Sequence, residues 1–206
     1  MAAGNLTHYA EAACLNAVLN ATNLTAPTAL YFGLCPVTVY TISTAYTLNQ
    51  IVVPTAANAN GHIYKCTTAG TSAASEPTWP TTEGATVTSG GATFTEDVAD
   101  LEAGTLPELT IGVNAYARFA SSSWTLASNA PASGTTGTLS ANDSSPAATG
   151  TGFGTVGAGF LFDAATSGHA WVWMVFAQPG VTLSVLGTSG IFEMLGTGTP
   201  STIVLN

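Results

Sequence analysis

Apolar positions are densest over residues 157–177, where GAGFLFD and AWVWMVFA flank a short polar link. In the second arm, alternation puts Trp171, Trp173 and Val175 on one face of a strand and Val172, Met174 and Phe176 on the other. A strand apolar on both faces belongs between two packed layers or against a neighbouring subunit. Asp163 closes the first arm, Ser167-Gly168 supplies turn chemistry, and His169 opens the second arm. This hairpin is the predicted core of a β domain.

Earlier in the chain, Leu6, Tyr9, Ala10, Ala13, Cys14, Ala17 and Val18 recur at spacings of three and four, predicting a helix over 6–19. Asn5 or Thr7 can cap it, Glu11 suits its positive end, and the Asn-rich 20–23 stops it. Its stripe is expected to cover the sheet that follows, which begins with the apolar run 29–37. Residues 39–97 read as a separate small β unit with strands IVVP and HIYKCT, turns at 58–61 and Gly90-Gly91, and dispersed Tyr46, Tyr64, Trp79 and Phe94. Pro77 and Pro80 bracket Trp79 and hold SEPTWPTTEG out of helical geometry.

Acids cluster around 98–108, which reads as a solvated linker; the D-x-D-x-D-G pattern of a calcium loop is absent. Strand rhythm then resumes through ELTIGV, AYARFA, SWTLAS, the hairpin, VTLSVLG, IFEMLG and STIVLN. Only 130–154 interrupts it, a polar low-complexity stretch read as a mobile loop or an arm ordered by a neighbour. The predicted class is mainly β: an antiparallel sandwich or jelly-roll-like domain from 1–38 and 98–206, one N-terminal helix, and a small all-β module at 39–97.

Composition narrows the function. Lys65 and Arg118 are the only basic residues against eleven acids, a formal charge of −9, so phosphate neutralisation and nucleic-acid binding are not expected. Charged residues make up 6% of the chain, where about a quarter is ordinary, so little repels a neighbouring subunit. No apolar run is long enough to span a bilayer, the start lacks a signal-peptide pattern, and no membrane partner is expected. Cys14, Cys35 and Cys66 are odd in number and widely spaced, which predicts free buried thiols. The N-x-[ST] triplets at Asn5, Asn20, Asn23 and Asn142 are read as chance in so Asn- and Thr-rich a chain.

Catalytic patterns are sparse: no G-x-S-x-G, no H-E-x-x-H, no phosphate loop. His8, His62 and His169 read as satisfied polar residues, and Glu76, Glu83 and Glu96 as surface carboxylates near aromatics rather than a glycosidase pair. No catalytic residue, cofactor or metal ligand is expected. Trp79 has two readings, a platform for a sugar or another chain and a core anchor, with Tyr46, Tyr64 and Phe94 as companion contacts. Arg118 is expected to bond a carboxylate or carbonyls at a fixed point, or else to serve an interface. Trp171 and Trp173 are read as core or as the apolar centre of a subunit contact.

The order LTHYAEAACLNAVLNAT, TAPTALYFGLC, NAYARFA, VGAGFLFDAATSGHAWVWMVF and PSTIVL resembles a family of small tailed-bacteriophage structural proteins, often labelled tail-fibre-like, in which a helix precedes a β domain. Asn114 to Ala120 resembles the family's G/N-x-Y-A-R segment, and Phe160 to Ala165 its G-x-F-D-A hairpin start. Residues 39–97 resemble a module of phage tail proteins that is similar to carbohydrate-binding modules, though Asn49-Gln50 replaces its Gly-Asp and Phe94 its Trp. The resemblance implies that the module is inserted after the first strand and projects outward. It implies a non-enzymatic virion protein, made in the host cytoplasm and placed on the particle surface. The expected role is a head decoration, or cement, protein acting as a homotrimer bound to the major capsid protein or other virion proteins. The alternative is a tail-fibre or tail-tip protein whose module binds host glycans.

Overall fold

The 157–177 run folds as a long antiparallel hairpin, and the chain is laid around it. The computed structural model describes residues 3–25, 27–121, 124–130, 134–139, 143–178, 183, 185–194 and 202–205. In chain order the strands begin with β1 (Ala3–Leu6), β2 (Leu30–Pro36), β3 (Thr38–Val39), β4 (Ala45–Tyr46), β5 (Ile51–Val53) and β6 (Tyr64–Thr68). There follow β7 (Gly70–Thr71), β8 (Thr86–Ser89), β9 (Ala92–Glu96), β10 (Phe119–Ser121), β11 (Trp124–Ala130) and β12 (Gly134–Leu139). The last are β13 (Asp143–Ser144), β14 (Gly154–Phe162), β15 (Ala170–Val175), β16 (Val185–Leu186), β17 (Glu193–Met194) and β18 (Thr202–Leu205). Helix α1 spans His8–Leu19 and the short α2 spans Val98–Glu102. The protein is mainly β with an N-terminal helix, as its strand rhythm predicts.

The central sheet runs β1-β15-β14-β2-β10, antiparallel throughout, with β16 added along the start of β14. Both of its faces are buried, as the double apolar alternation of β15 requires. On one face Cys35, Ala158, Phe160, Phe162, Trp173 and Val175 pack with Ile51, Val53 and Ile63, and with Leu101 of α2 and Leu106. On the other, Phe32, Leu34, Leu161 and Met174 pack with Tyr116, Phe119, Ala148 and Phe153. A register shift between Val156 and Ala158 against β2 moves Val156 to the second face, so the odd–even rule breaks at Gly157. Gly33 lets β2 and β14 approach: a Cβ there would lie 2.5 Å from the Phe162 ring and 2.7 Å from the Glu108 carboxylate.

Residues 39–97 supply a second sheet, β3-β5-β6-β9-β8, in which β3 and β5 are parallel, and a β4–β7 pair. Strand β5 is buried at all three positions: Ile51 and Val53 enter the core against the central sheet, while Val52 enters the module's own core of Tyr40, Tyr46, Tyr64, Cys66, Trp79, Ala92 and Phe94. The module is thus seated on the central sheet through a shared strand. At ~1.5–3 kcal/mol for each large apolar side chain buried, Ile51, Val53 and Ile63 together hold its orientation firmly.

Three local expectations differ from the structure. ELTIGV forms no strand; Pro107 and a Gly112 at φ 86° frame a turn that ends in a 3-10 segment at Val113–Ala115, and Glu108 is drawn to Arg118. The 98–108 linker contains α2, whose Leu101 is fully buried, so it is packed rather than solvated. Within 130–154, β12 pairs with β11 and β18, and β13 with β17, because ladder hydrogen bonds come from the backbone and tolerate a polar sequence. Positions 131–133 and 140–142, including Asn142, lie outside the described residues.

Candidate functional site

The four aromatics singled out in the module converge, but inward. Trp79 is 6% exposed and Tyr46, Tyr64 and Phe94 are buried with it. The Trp79 ring lies 4.4 Å from Tyr64, 5.3 Å from Tyr40 and 5.5 Å from Phe94, centroid to centroid. Their polar tips are tied off too. Tyr64 Oη donates to Pro80 O at 2.7 Å and accepts from Asn60 Nδ2, and burial pushes its phenol up to about 12. Tyr46 Oη accepts from Thr41 N at 2.7 Å. These rings are the module's core, and none offers an open face on which a sugar could stack.

What holds Trp79 is Glu76. Its Oε1 accepts from Trp79 Nε1 at 2.8 Å and Thr55 N at 2.9 Å, and its Oε2 accepts from Thr55 Oγ1 at 2.6 Å and Asn58 Nδ2 at 2.7 Å. Burial alone would raise this carboxyl; the four donors outweigh it and hold Glu76 below its ordinary value. A carboxylate so fully engaged is a structural knot. The Glu-Pro-Thr-Trp spacing, with the acid three residues before the indole, is the sequence signal for it.

Arg118 is the fixed point that its isolation among acids suggests. Its Nε and Nη2 donate to Glu108 at 3.0 and 2.8 Å, and Nη1 donates to Ala164 O at 2.9 Å and to Ser167 O. The guanidinium carbon sits 3.3 Å above the Phe162 ring. Tyr116 Oη donates to Glu108 Oε1 at 2.6 Å while accepting from Leu34 N at 2.8 Å. Arg118 thereby ties the 108–118 segment to the β14–β15 loop, and the Tyr116 hydroxyl carries the link from Glu108 on to β2. Nearby Cys35 is buried, which raises its thiol well above the ordinary value, with the Glu108 charge adding to the rise. Cys66 is buried as well, whereas Cys14 is half-buried; all three are free.

At the junction of module and central sheet, Glu96 is buried and its Oε1 lies 2.7 Å from His62 Nδ1. Lys65 Nζ lies 3.1 Å from Asp97 Oδ2 and bonds Asp100 Oδ2. Burial pushes the Asp97 carboxyl from 3.8 up to about 6, with Lys65 opposing the rise and the Asp100 charge adding to it. Asp97 therefore binds its proton more tightly folded than unfolded, and this group's contribution to stability falls as pH rises through about 6. Equilibrium denaturation is expected to show wild type more stable near ~pH 5 than near ~pH 7, on the order of 1 kcal/mol, and Asp97→Asn without that difference. Below ~pH 4 the trend reverses as Glu76, Asp100 and Asp163, all held below their ordinary values, lose their charge.

The chemistry-bearing groups at the surface gather where α1 meets the hairpin loop. Thr7 caps α1, its Oγ1 accepting from Ala10 N at 3.4 Å, and donates its own N–H to Trp171 O at 3.0 Å. Tyr9 stacks flat on His169 at 4.0 Å and meets Trp171 edge-on at 5.4 Å. Asp163 Oδ1 accepts from His169 N at 2.7 Å and Oδ2 from Trp171 Nε1 at 3.2 Å. Burial would raise the Asp163 carboxyl, but these donors hold it low. Gly168 is required here, since φ is 81° and a Cβ would fall 2.3 Å from Asp163 Oδ1.

Trp173 is buried on the module side of the sheet, and Trp171 is half-buried beneath Tyr9. The first half of α1 is thus pinned. The second half is not: of the helix only Ala10 is buried, and Leu15, Val18 and Leu19 are 58%, 79% and 75% exposed. The stripe expected to cover the sheet does so with small residues, Ala10, Ala13, Cys14 and Ala17, and leaves the large ones outside. This face of α1 is the candidate functional site.

Among the described residues no group of three or more His, Cys, Asp or Glu is placed to hold a metal ion, and no helix is long and apolar enough to cross a membrane. No family model matches the chain, and no curated protein matches it.

Proposed function

We propose that this is a structural, non-enzymatic component of a tailed-bacteriophage virion, a head decoration protein that binds the capsid shell and carries the 39–97 module on its outer side. The observation that supports it is α1: a helix pinned at one end whose large apolar side chains are left in water. An isolated helix of about 12 residues is marginal in water, and exposed contiguous apolar surface belongs to an assembly contact. The shared strand β5 fits the same role, because it gives the module a set pose relative to the shell-facing domain. The burial of Trp79, Tyr46, Tyr64 and Phe94 supports the decoration reading over a glycan-binding tail-tip role that would use these four rings as its platform.

The test is to add purified protein to heads lacking it and measure their rupture temperature. Binding with a raised rupture temperature is expected. Heads that neither bind the protein nor gain heat resistance would contradict the proposal.

A further inference from the structure

We infer that the docking of α1 on the hairpin is proton-linked: His8 and His169 set its first turn against two carboxylates, and their protonation tightens that hold as pH falls. This is a property of how α1 is held by its own chain, whatever surface covers the outer ridge of Leu15, Val18 and Leu19.

Two kinds of contact hold the first turn. One is uncharged and constant: Thr7 donates its N–H to Trp171 O at 3.0 Å and its hydroxyl to Ala170 O. The other is titratable. At the start of α1, His8 Nε2 lies 3.5 Å from Glu102 Oε2 on α2. In the hairpin loop, His169 Nδ1 lies 3.4 Å from Asp163 Oδ2, and its ring stacks on Tyr9 of α1 with 4.0 Å between centroids and 1° between planes. A neutral imidazole gains little from a carboxylate at these distances. An imidazolium is attracted in both pairs, and in the second it also meets the negative face of the Tyr9 ring. Imidazole changes charge between about pH 5 and 8, so docking is strongest below that range and weakens as pH rises through it.

The neighbouring charges leave this sign intact. Glu11 is three residues on from His8, but it travels with the helix and does not link a proton to docking; the positive end of the helix likewise acts on His8 whether α1 is docked or not. From α2 comes Asp100 as well as Glu102, and Asp100 is bonded to Lys65. Strands β1 and β15 bring no charged side chain. Around His169 stand Asp163, the Tyr9 phenol and the Trp171 indole, which donates to Asp163 Oδ2. Arg118 reaches the same loop at Ala164 O and Ser167 O with its charge met by Glu108. Asp163, held below its ordinary value by its donors despite burial, stays charged where imidazole titrates.

The experiment is amide exchange of the full-length chain at ~pH 5.5 and ~pH 7.5, expressed as protection relative to the unstructured rate at each pH. It is read at Glu11, Ala12 and Ala13, in the first turns of α1, with β14 and β15 as reference. Wild-type protection at these three amides is expected to be ~3–10-fold higher at the lower pH, a modest rise because both histidines are more than half exposed. In the double variant His8→Gln, His169→Phe, whose phenyl ring can still stack on Tyr9, the rise is expected to vanish. Glu102→Gln, with both histidines in place, is expected to lose about half of it on a logarithmic scale. That substitution leaves the hairpin loop untouched and decides the matter if the double variant does not fold. A wild-type rise no larger than that of β14 and β15, or one that persists undiminished in the double variant or in Glu102→Gln, would overturn the inference.

Discussion

Arg118→Ala is expected to destabilise the protein by about 2–4 kcal/mol, towards the cost of leaving a buried charge without its cation, since the Glu108 side chain is only 15% exposed. The change strands the Glu108 carboxylate beside Tyr116, frees the carbonyls of Ala164 and Ser167, and uncovers the Phe162 ring in one step. For a chain of this size that corresponds to a fall of roughly 10 °C in melting temperature. Arg118→Lys should recover only part of the loss, because an ammonium cannot hold Glu108 in a fork and reach two carbonyls at once. A double-mutant cycle with Glu108→Gln separates the pair from the packing: strong non-additivity is expected. Additive effects below ~1 kcal/mol would place Arg118 among ordinary surface ion pairs.

Trp79→Ala is expected to cost a similar amount, about 3–5 kcal/mol, as large-to-small changes of a buried aromatic do. Its loss opens a cavity between Tyr40, Tyr64 and Phe94 and leaves Glu76 Oε1 without one of its two donors. Trp79→Phe keeps much of the volume and loses the N–H, so it should cost about 1–3 kcal/mol. Hydrogen exchange is the informative readout: faster exchange should be concentrated in β6 and β9, with β14 and β15 largely protected. A Trp79→Ala protein as stable as wild type would mean that the ring is a displayed surface group. The same burial means that loss of a ligand in this variant could not be read as loss of a stacking contact.

The hairpin was legible because alternation reports both faces of a strand directly. Trp173 and Val175 enter one core and Met174 the other, as their parity requires. Arg118 was legible for a related reason, since one of only two basic residues in a chain with eleven acids has few alternatives to a carboxylate. Other features depend on contacts that sequence periodicity does not carry. IVV looks the same whether a strand serves one core or two, and only the packing of Ile51 and Val53 against Phe160 and Trp173 shows that β5 belongs to both. The stripe of α1 tells which residues share a side; it does not tell whether that side is covered, and the helix rests on its alanines with its leucines outward. ELTIGV failed as a strand because its acid had a better bond elsewhere, with Arg118 and Tyr116 both claiming Glu108. The Trp79 indole and the Tyr46 hydroxyl find partners within five residues, Glu76 and Thr41, and the Tyr64 hydroxyl reaches Pro80, yet none of these spacings tells display from burial, which the packing of the rings on one another decides.

These features converge on one physical idea: among the described residues the apolar faces of the central sheet and of the module sheet are packed within the chain, while the outer ridge of α1 is left for another surface. Amide exchange of α1, compared between free protein and protein bound in the assembly, tests this most directly. Residues 14–20 should exchange within the fast population when free and become protected by at least ~10-fold on assembly, while β14 and β15 stay protected in both states. Equal exchange of α1 in the two states would contradict the assembly role of this helix.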